Sequence, residues 1–129
     1  MLDKYVFPAV FHPEDIGFSI HFPDLPGCIT EGDTLEEASK MARDALELYL
    51  YELEQSSGPI PSPAGRYHIE KDEYIVMVTA HMKVIRSEMR NKAVKKTLTI
   101  PCWLNEEAEA AGINFSLLLQ DALREKLGV

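Results

Sequence analysis

With 129 residues, 46% of them hydrophobic and 26% charged, the chain has the size and balance of one globular domain, or of a small domain with a short module. Composition excludes disorder, collagen and a disulfide scaffold. The net charge of −8 is unevenly spread: residues 1–82 carry five basic against fifteen acidic residues (−10), residues 83–96 six against one (+5), and residues 97–129 two against five (−3). An acidic body suits a basic partner, and a basic collar suits phosphate. No apolar run approaches the roughly 20 residues that span a bilayer, and Met1-Leu2-Asp3-Lys4 lacks the pattern of a signal peptide. Cys28 and Cys102 form neither a disulfide framework nor a zinc-ligand set. The expected location is therefore the cytoplasm, with both thiols reduced.

The first third reads as strands. Tyr5 to Phe11 is apolar and largely aromatic or β-branched, His12 to Asp15 reads as a turn, and Gly17 to Phe22 alternates at period two. Pro23 to Gly27 is a turn-rich connector, and Cys28 to Glu31 fits a short third strand. Thr34-Leu35-Glu36-Glu37 has capping-box spacing, in which Thr34 accepts from the Glu37 amide and Glu37 reaches back. Leu35, Ala38, Ala42, Ala45, Leu46, Tyr49 and Leu53 then recur at helical spacing, up to an end near Glu54. Residues 56–66, with three prolines and two glycines, read as a loop. Tyr74 to Ala80 is a continuous apolar run, which predicts a central strand buried on both faces. Strands around one amphipathic helix give a small α+β layer over residues 1–82. Residues 83–93 read as a basic linker, helical or extended.

Residues 94–129 carry a different pattern. Val94, Leu98 and Ile100 fall on one face of an alternating strand and Lys95, Thr97 and Thr99 on the other, with Lys96 interrupting the apolar face. Pro101 ends the strand. A short helix from Trp103 to Ala111 is closed by Gly112, and Asn114 caps a second helix from Phe115 to Leu127. One strand and two short helices supply no partner for the strand's backbone groups, and so short a module cannot bury enough surface to fold alone. The expected solution is the same strand from a second chain, paired antiparallel across a two-fold axis. Leu98, Ile100, Trp103, Leu118, Leu119 and Ala122 then form a shared core. The Lys95/Thr97/Thr99 face is doubled on a two-stranded ribbon of the width a DNA major groove admits.

Lys-Thr-Leu-Thr-Ile-Pro at 96–101, Gly112 to Ser116 and Ala122-Leu123 resemble the ribbon-helix-helix family of DNA-binding repressors. Ahead of them, Gly17-Phe18 and the stretch from Phe22-Pro23-Asp24-Leu25-Pro26-Gly27-Cys28 through Gly32-Asp33-Thr34 to Ala38 resemble the HicB antitoxin family. The resemblance implies a type II toxin–antitoxin component whose N-terminal domain, similar to a pared-down ribonuclease H fold, masks a small basic HicA-like toxin that cleaves mRNA. It also implies a C-terminal domain that binds the operon's own promoter and so represses it. A homodimer is expected, doubled to a tetramer by contacts between N-terminal domains.

Lys95, Thr97 and Thr99 match ribbon positions that enter the groove in the related repressors; threonine offers a donor, an acceptor and a methyl for thymine. The plainer reading is an exposed polar strand face. Asn114, Phe115 and Ser116 open a helix whose free amides suit a backbone phosphate, and Lys92 and Lys96 are further candidate phosphate contacts. The toxin-binding residues are not identified beyond the acidic domain, including the Asp24 region; for Asp24 itself the plainer reading is an Asx-type turn. No catalytic residue, metal ligand or cofactor is assigned. The acids fall mainly in turns and on a helix face, and His12, His21, His68 and His81 are scattered. The alternative function is a stand-alone transcription regulator whose α+β domain senses a small ligand; a weaker one is a residual nuclease.

Overall fold

The computed structural model describes all 129 residues, and the chain divides into two units, Met1–Lys92 and Ala93–Val129. In the first unit, strand β1 (Lys4–Pro13) lies between β2 (Phe18–His21) and β4 (Tyr74–His81), with β3 (Ile29–Gly32) outside β2. The sheet order is β3-β2-β1-β4 and every neighbouring pair is antiparallel. Along β1, Phe7, Ala9 and Phe11 join the core shared with the helix, while Pro8 and Val10 alternate onto the opposite face and are buried as well. Pro8 sits in this inner strand without loss because β2 pairs only from Val10 onward. Opposite β4, the Met82 amide donates to the Asp3 carbonyl at 2.9 Å. Alternation along that register puts Pro8 at a position whose amide side faces away from β4.

Helix α1 (Leu35–Gln55) begins as its sequence predicts. The Thr34 hydroxyl accepts from the Glu37 amide at 3.1 Å, but the Glu37 carboxylate reaches one residue further back than the capping box requires, to the Asp33 amide at 3.2 Å. Ala38, Ala42, Leu46 and Leu50 are fully buried at helical spacing. The two alanines let the helix backbone approach the sheet closely. The helix ends at Ser56, and Ser57 takes a positive φ.

Two carboxylates fasten the segment between α1 and β4. Asp24 accepts from the Ala64 amide at 2.9 Å and the Tyr67 hydroxyl at 2.6 Å. Glu73 accepts from the Glu70 amide at 2.7 Å and pairs with His12 Nδ1 at 3.1 Å. The Glu70 amide, and after it the His12 imidazole, hold the Glu73 carboxylate below its ordinary pKa, while partial burial and the Asp24 carboxylate raise that of Tyr67.

The central position expected for Tyr74–Ala80 is corrected by the structure: β4 is an edge strand paired only with β1. Val78 and Ala80 are buried, but Tyr74, Ile75 and Met77 are exposed. The expected burial on both faces is corrected as well: only the face carrying Val78 and Ala80 is covered, and an apolar run carries no information about lateral neighbours.

Of the two forms expected for residues 83–93, the helical one is found, in helix α2 (Met82–Asn91), which packs on α1 within the first unit and so belongs to that unit. Met82 is buried and Ile85 packs against the core. Arg86 bonds both oxygens of Glu54, the Asp3 carboxylate and the Leu2 carbonyl. The Glu54 side chain is only 1% exposed. A carboxylate so buried needs its guanidinium, since an unpaired charge there costs several kcal/mol, on the order of 3–5.

The second unit contains α3 (Cys102–Ala110) and α4 (Phe115–Leu127), joined through Gly112 at φ +69°. Residues 94–100 form no strand within the chain, and their backbone groups make no backbone hydrogen bond there. The alternating pattern is present, but a ladder requires a second strand, and the unit has none of its own. No helix of the chain is long and apolar enough to cross a membrane.

Candidate nucleic-acid interface

Neither helix of the second unit has a buried residue. Leu98 is 64% exposed, Trp103 62%, Leu117 57% and Leu118 54%, in a segment whose spacing is that of a core. Leu98, Ile100, Leu118, Leu119 and Ala122 line one groove of about 500 Å³ together with Lys96, Asn105, Phe115 and Ser116. Five of the six residues expected in a shared core are thus brought together; Trp103 is outside the groove. Three residues assigned to DNA, Lys96, Phe115 and Ser116, line the groove as well. Asn105 escaped the sequence reading, being a lone polar residue on a short helix with no periodic partner.

Lys95, Thr97 and Thr99 are exposed, as is Lys92, which ends α2 in the first unit. Asn114 caps α4: its side-chain oxygen accepts from the Leu117 amide at 3.1 Å. The amides of Phe115 and Ser116 make no hydrogen bond within the chain, so two donors at the positive end of the helix dipole stay available. The Asn114 oxygen is committed to the cap and the two amides are not.

In the first unit many carboxylates are already engaged: Asp24, Glu37, Glu47, Glu54 and Glu73 all accept hydrogen bonds from the chain itself. Asp24 reaches 40 residues along the chain, beyond the local turn its sequence suggests. Cys28 is buried beside the Ala45 carbonyl, and burial pushes its thiol up to about 11, which keeps it unreactive. His12 has a carboxylate partner, and nowhere do three His, Cys, Asp or Glu side chains converge as a metal site requires.

A family model described as HicB-like antitoxin of bacterial toxin–antitoxin system matches residues 7–120, which covers most of both units. The chain belongs to the HicB-like antitoxin family. Among its relatives is antitoxin HicB 1 of Photorhabdus laumondii, 34% identical over 102 residues, 70% of this chain and 64% of that protein. The chain therefore spans a little under two thirds of that relative's length. Of solved structures, a toxin–antitoxin complex from Streptococcus pneumoniae shares 27% identity at a TM-score of 0.58, over 95% of this chain and 99% of that one. A crystal structure of antitoxin HicB3 shares 26% at a TM-score of 0.52, over 95% and 97%. The α+β architecture, a four-stranded antiparallel sheet with four helices, is thus that of HicB antitoxin structures.

Proposed function

We propose that the chain is the antitoxin of a HicA/HicB-like pair, in which the first unit masks a small mRNA-cleaving toxin and the second, paired with its copy, binds the operon's own promoter. On this reading the pair acts in the cytoplasm. The observation that carries the reading is the second unit's exposure: it leaves a full apolar groove uncovered and an extended segment unpaired, while Lys95, Thr97 and Thr99 alternate to the other side. Pairing residues 94–100 antiparallel with a second chain supplies the ladder, covers the groove and doubles the polar face for a major groove. The S. pneumoniae neighbour, described as a toxin–antitoxin complex, supports a toxin partner. Exposed carboxylates without an internal bond, such as Glu31, Asp33 and Glu36, suit a basic one. Asp24 accepts one hydrogen bond on each oxygen from its own chain, and the acidic unit that includes the Asp24 region is assigned to the toxin as a whole.

The test is co-expression with a small basic protein encoded beside the gene, followed by pull-down. Because α2 belongs to the first unit, the fragment to compare is residues 1–92. Residues 1–92 should retain the toxin and lose the operator. A folded fragment that misses the toxin while the full chain holds it would end the division of labour, and no co-purifying protein at all would favour a stand-alone regulator.

DNA binding should fall steeply with salt, since each neutralised phosphate releases counterions. Thr97→Ala should cost the specific site about 1–3 kcal/mol and random DNA little, whereas Lys92→Ala should weaken both alike and lower the salt slope by about one per chain altered. Equal losses on both DNAs for Thr97→Ala, in a titration by fluorescence anisotropy, would count against base reading.

A further inference from the structure

We propose that Lys96 and Asn105 form a polar contact inside the paired second unit, and that this contact fixes the ribbon's register and restricts its partner to a chain carrying the same two residues. The inference rests on the ribbon pairing proposed above, and it takes Lys96 off the DNA face. Along residues 94–100 the polar face is odd-numbered, whereas Lys96 falls with Leu98 and Ile100 and lines their groove. Asn105 lines the same groove. It is half-buried in the single chain, while Leu104 beside it is 41% exposed. Helix α3 thus turns an amide inward where a leucine stands next to it in sequence.

Neither polar group is satisfied by its own chain. The Asn105 side-chain nitrogen donates to Glu109 at 3.4 Å, and its oxygen has no donor. The Lys96 ammonium has no carboxylate at ion-pair distance. A second copy laid over the groove takes water from both groups, and a buried polar group left without a partner is costly. Each supplies what the other lacks, since an ammonium only donates and an amide oxygen accepts.

Antiparallel pairing of residues 94–100 end to end puts the axis at Thr97, with Val94 opposite Ile100 and Lys96 opposite Leu98 of the other copy. Each lysine is thereby carried to the half of the other strand that leads into α3. Asn105 lies one turn into that helix, its backbone amide donating to the Pro101 carbonyl at 3.1 Å. The contact therefore runs from one copy to the other and is made twice. Slipping the register by two residues one way sets the two Lys96 side chains opposite each other, where like charges repel. Slipping it by two the other way moves each lysine on to Ile100 and leaves Val94 unpaired. A slip of one sets the apolar face of one copy against the polar face of the other. Such a polar pair weakens an interface relative to an apolar one but selects a single arrangement. A partner with an aliphatic residue at position 96 leaves Asn105 without its donor and is rejected on that account.

The experiment uses the full chain with donor or acceptor dyes at the C-terminus, and reads pairing by energy transfer over a dilution series. Lys96→Met removes the donor and Asn105→Leu the acceptor, and each should weaken pairing by about tenfold or more. The double variant, apolar at both positions, should pair with itself at least as tightly as the unaltered chain does. Mixed with the unaltered chain, it should form far fewer mixed pairs than chance gives. Circular dichroism checks that all three variants are folded. Losses that simply add in the double variant, or mixing at the level of chance, would overturn the proposal. So would a Lys96→Met that pairs normally but lowers the salt slope of operator binding by about one per chain, the mark of a phosphate contact. Failure of the ribbon reading has a different signature: Leu98→Lys would then pair as tightly as the unaltered chain.

Discussion

Leu98→Lys is expected to abolish pairing through residues 94–100 and, with it, operator binding. In the single chain the leucine is 64% exposed and lines the apolar groove, so the substitution costs the isolated unit little. The cost falls on assembly, where two ammonium groups would enter the space closed by Leu118, Leu119 and Ala122 of both chains. Burying an unpaired charge there exceeds the few kcal/mol lost when a core leucine is truncated. A penalty of about 3 kcal/mol or more means over a hundredfold weaker association. An operator titration reads this directly, with Leu98→Met as the volume-conserving control. Unaltered operator affinity for Leu98→Lys would show that residues 94–100 do not pair in the bound state.

The second large effect belongs to the first unit. Gly17 has φ +76°, and a Cβ there would lie 2.1 Å from the Gly32 carbonyl oxygen; a Cβ on Gly32 would lie 2.5 Å from the Ala38 amide nitrogen. The turn before β2, the end of β3 and the start of α1 therefore meet through bare backbone. Gly17→Val adds a disfavoured conformation to a backbone clash, and should cost about 3–5 kcal/mol, or a fall in Tm on the order of 15–30 °C. Gly65→Ala is the comparison: φ is +83° but nothing lies within 4 Å of the new atom, so only the conformational cost of about 1 kcal/mol remains. Equal melting points for the two variants would refute the close-packing account.

Local signals made much of the fold legible. Thr34 and Glu37 marked the start of α1, period-two alternation marked β2, and Asn114 marked α4, because capping and alternation depend only on neighbours in sequence. What escaped was decided by distant partners. The edge position of β4 follows from which strand lies beside it. Helix α2 hides Met82 and Ile85 among charges, and the partners of Arg86 lie 32 and 83 residues away. Asp24 looked like a turn residue because its own turn is near and Tyr67 is not. In the second unit, the alternation of Lys95, Thr97 and Thr99 with Leu98 and Ile100 could be read at once. The groove's inclusion of Asn105 and Lys96 could not, since both are polar residues on an apolar wall.

The clasp formed by Arg86 on Leu2, Asp3 and Glu54 also has a meaning in time. Chains emerge from the ribosome at roughly 5–20 residues per second, N-terminus first. Strand β1 is therefore made several seconds before β4, and waits with one edge open and Pro8 bare of its later neighbour. The hairpin with β2 and the capped helix can form during that interval, but Leu2 and Asp3 gain the Arg86 and Met82 partners that fasten them to the rest of the unit only when α2 has been made. Closure of the first unit is thus the last event before the second unit appears. A nascent or truncated chain that stops short of Arg86 should be a loose, protease-sensitive species, and one that has passed it a sealed one.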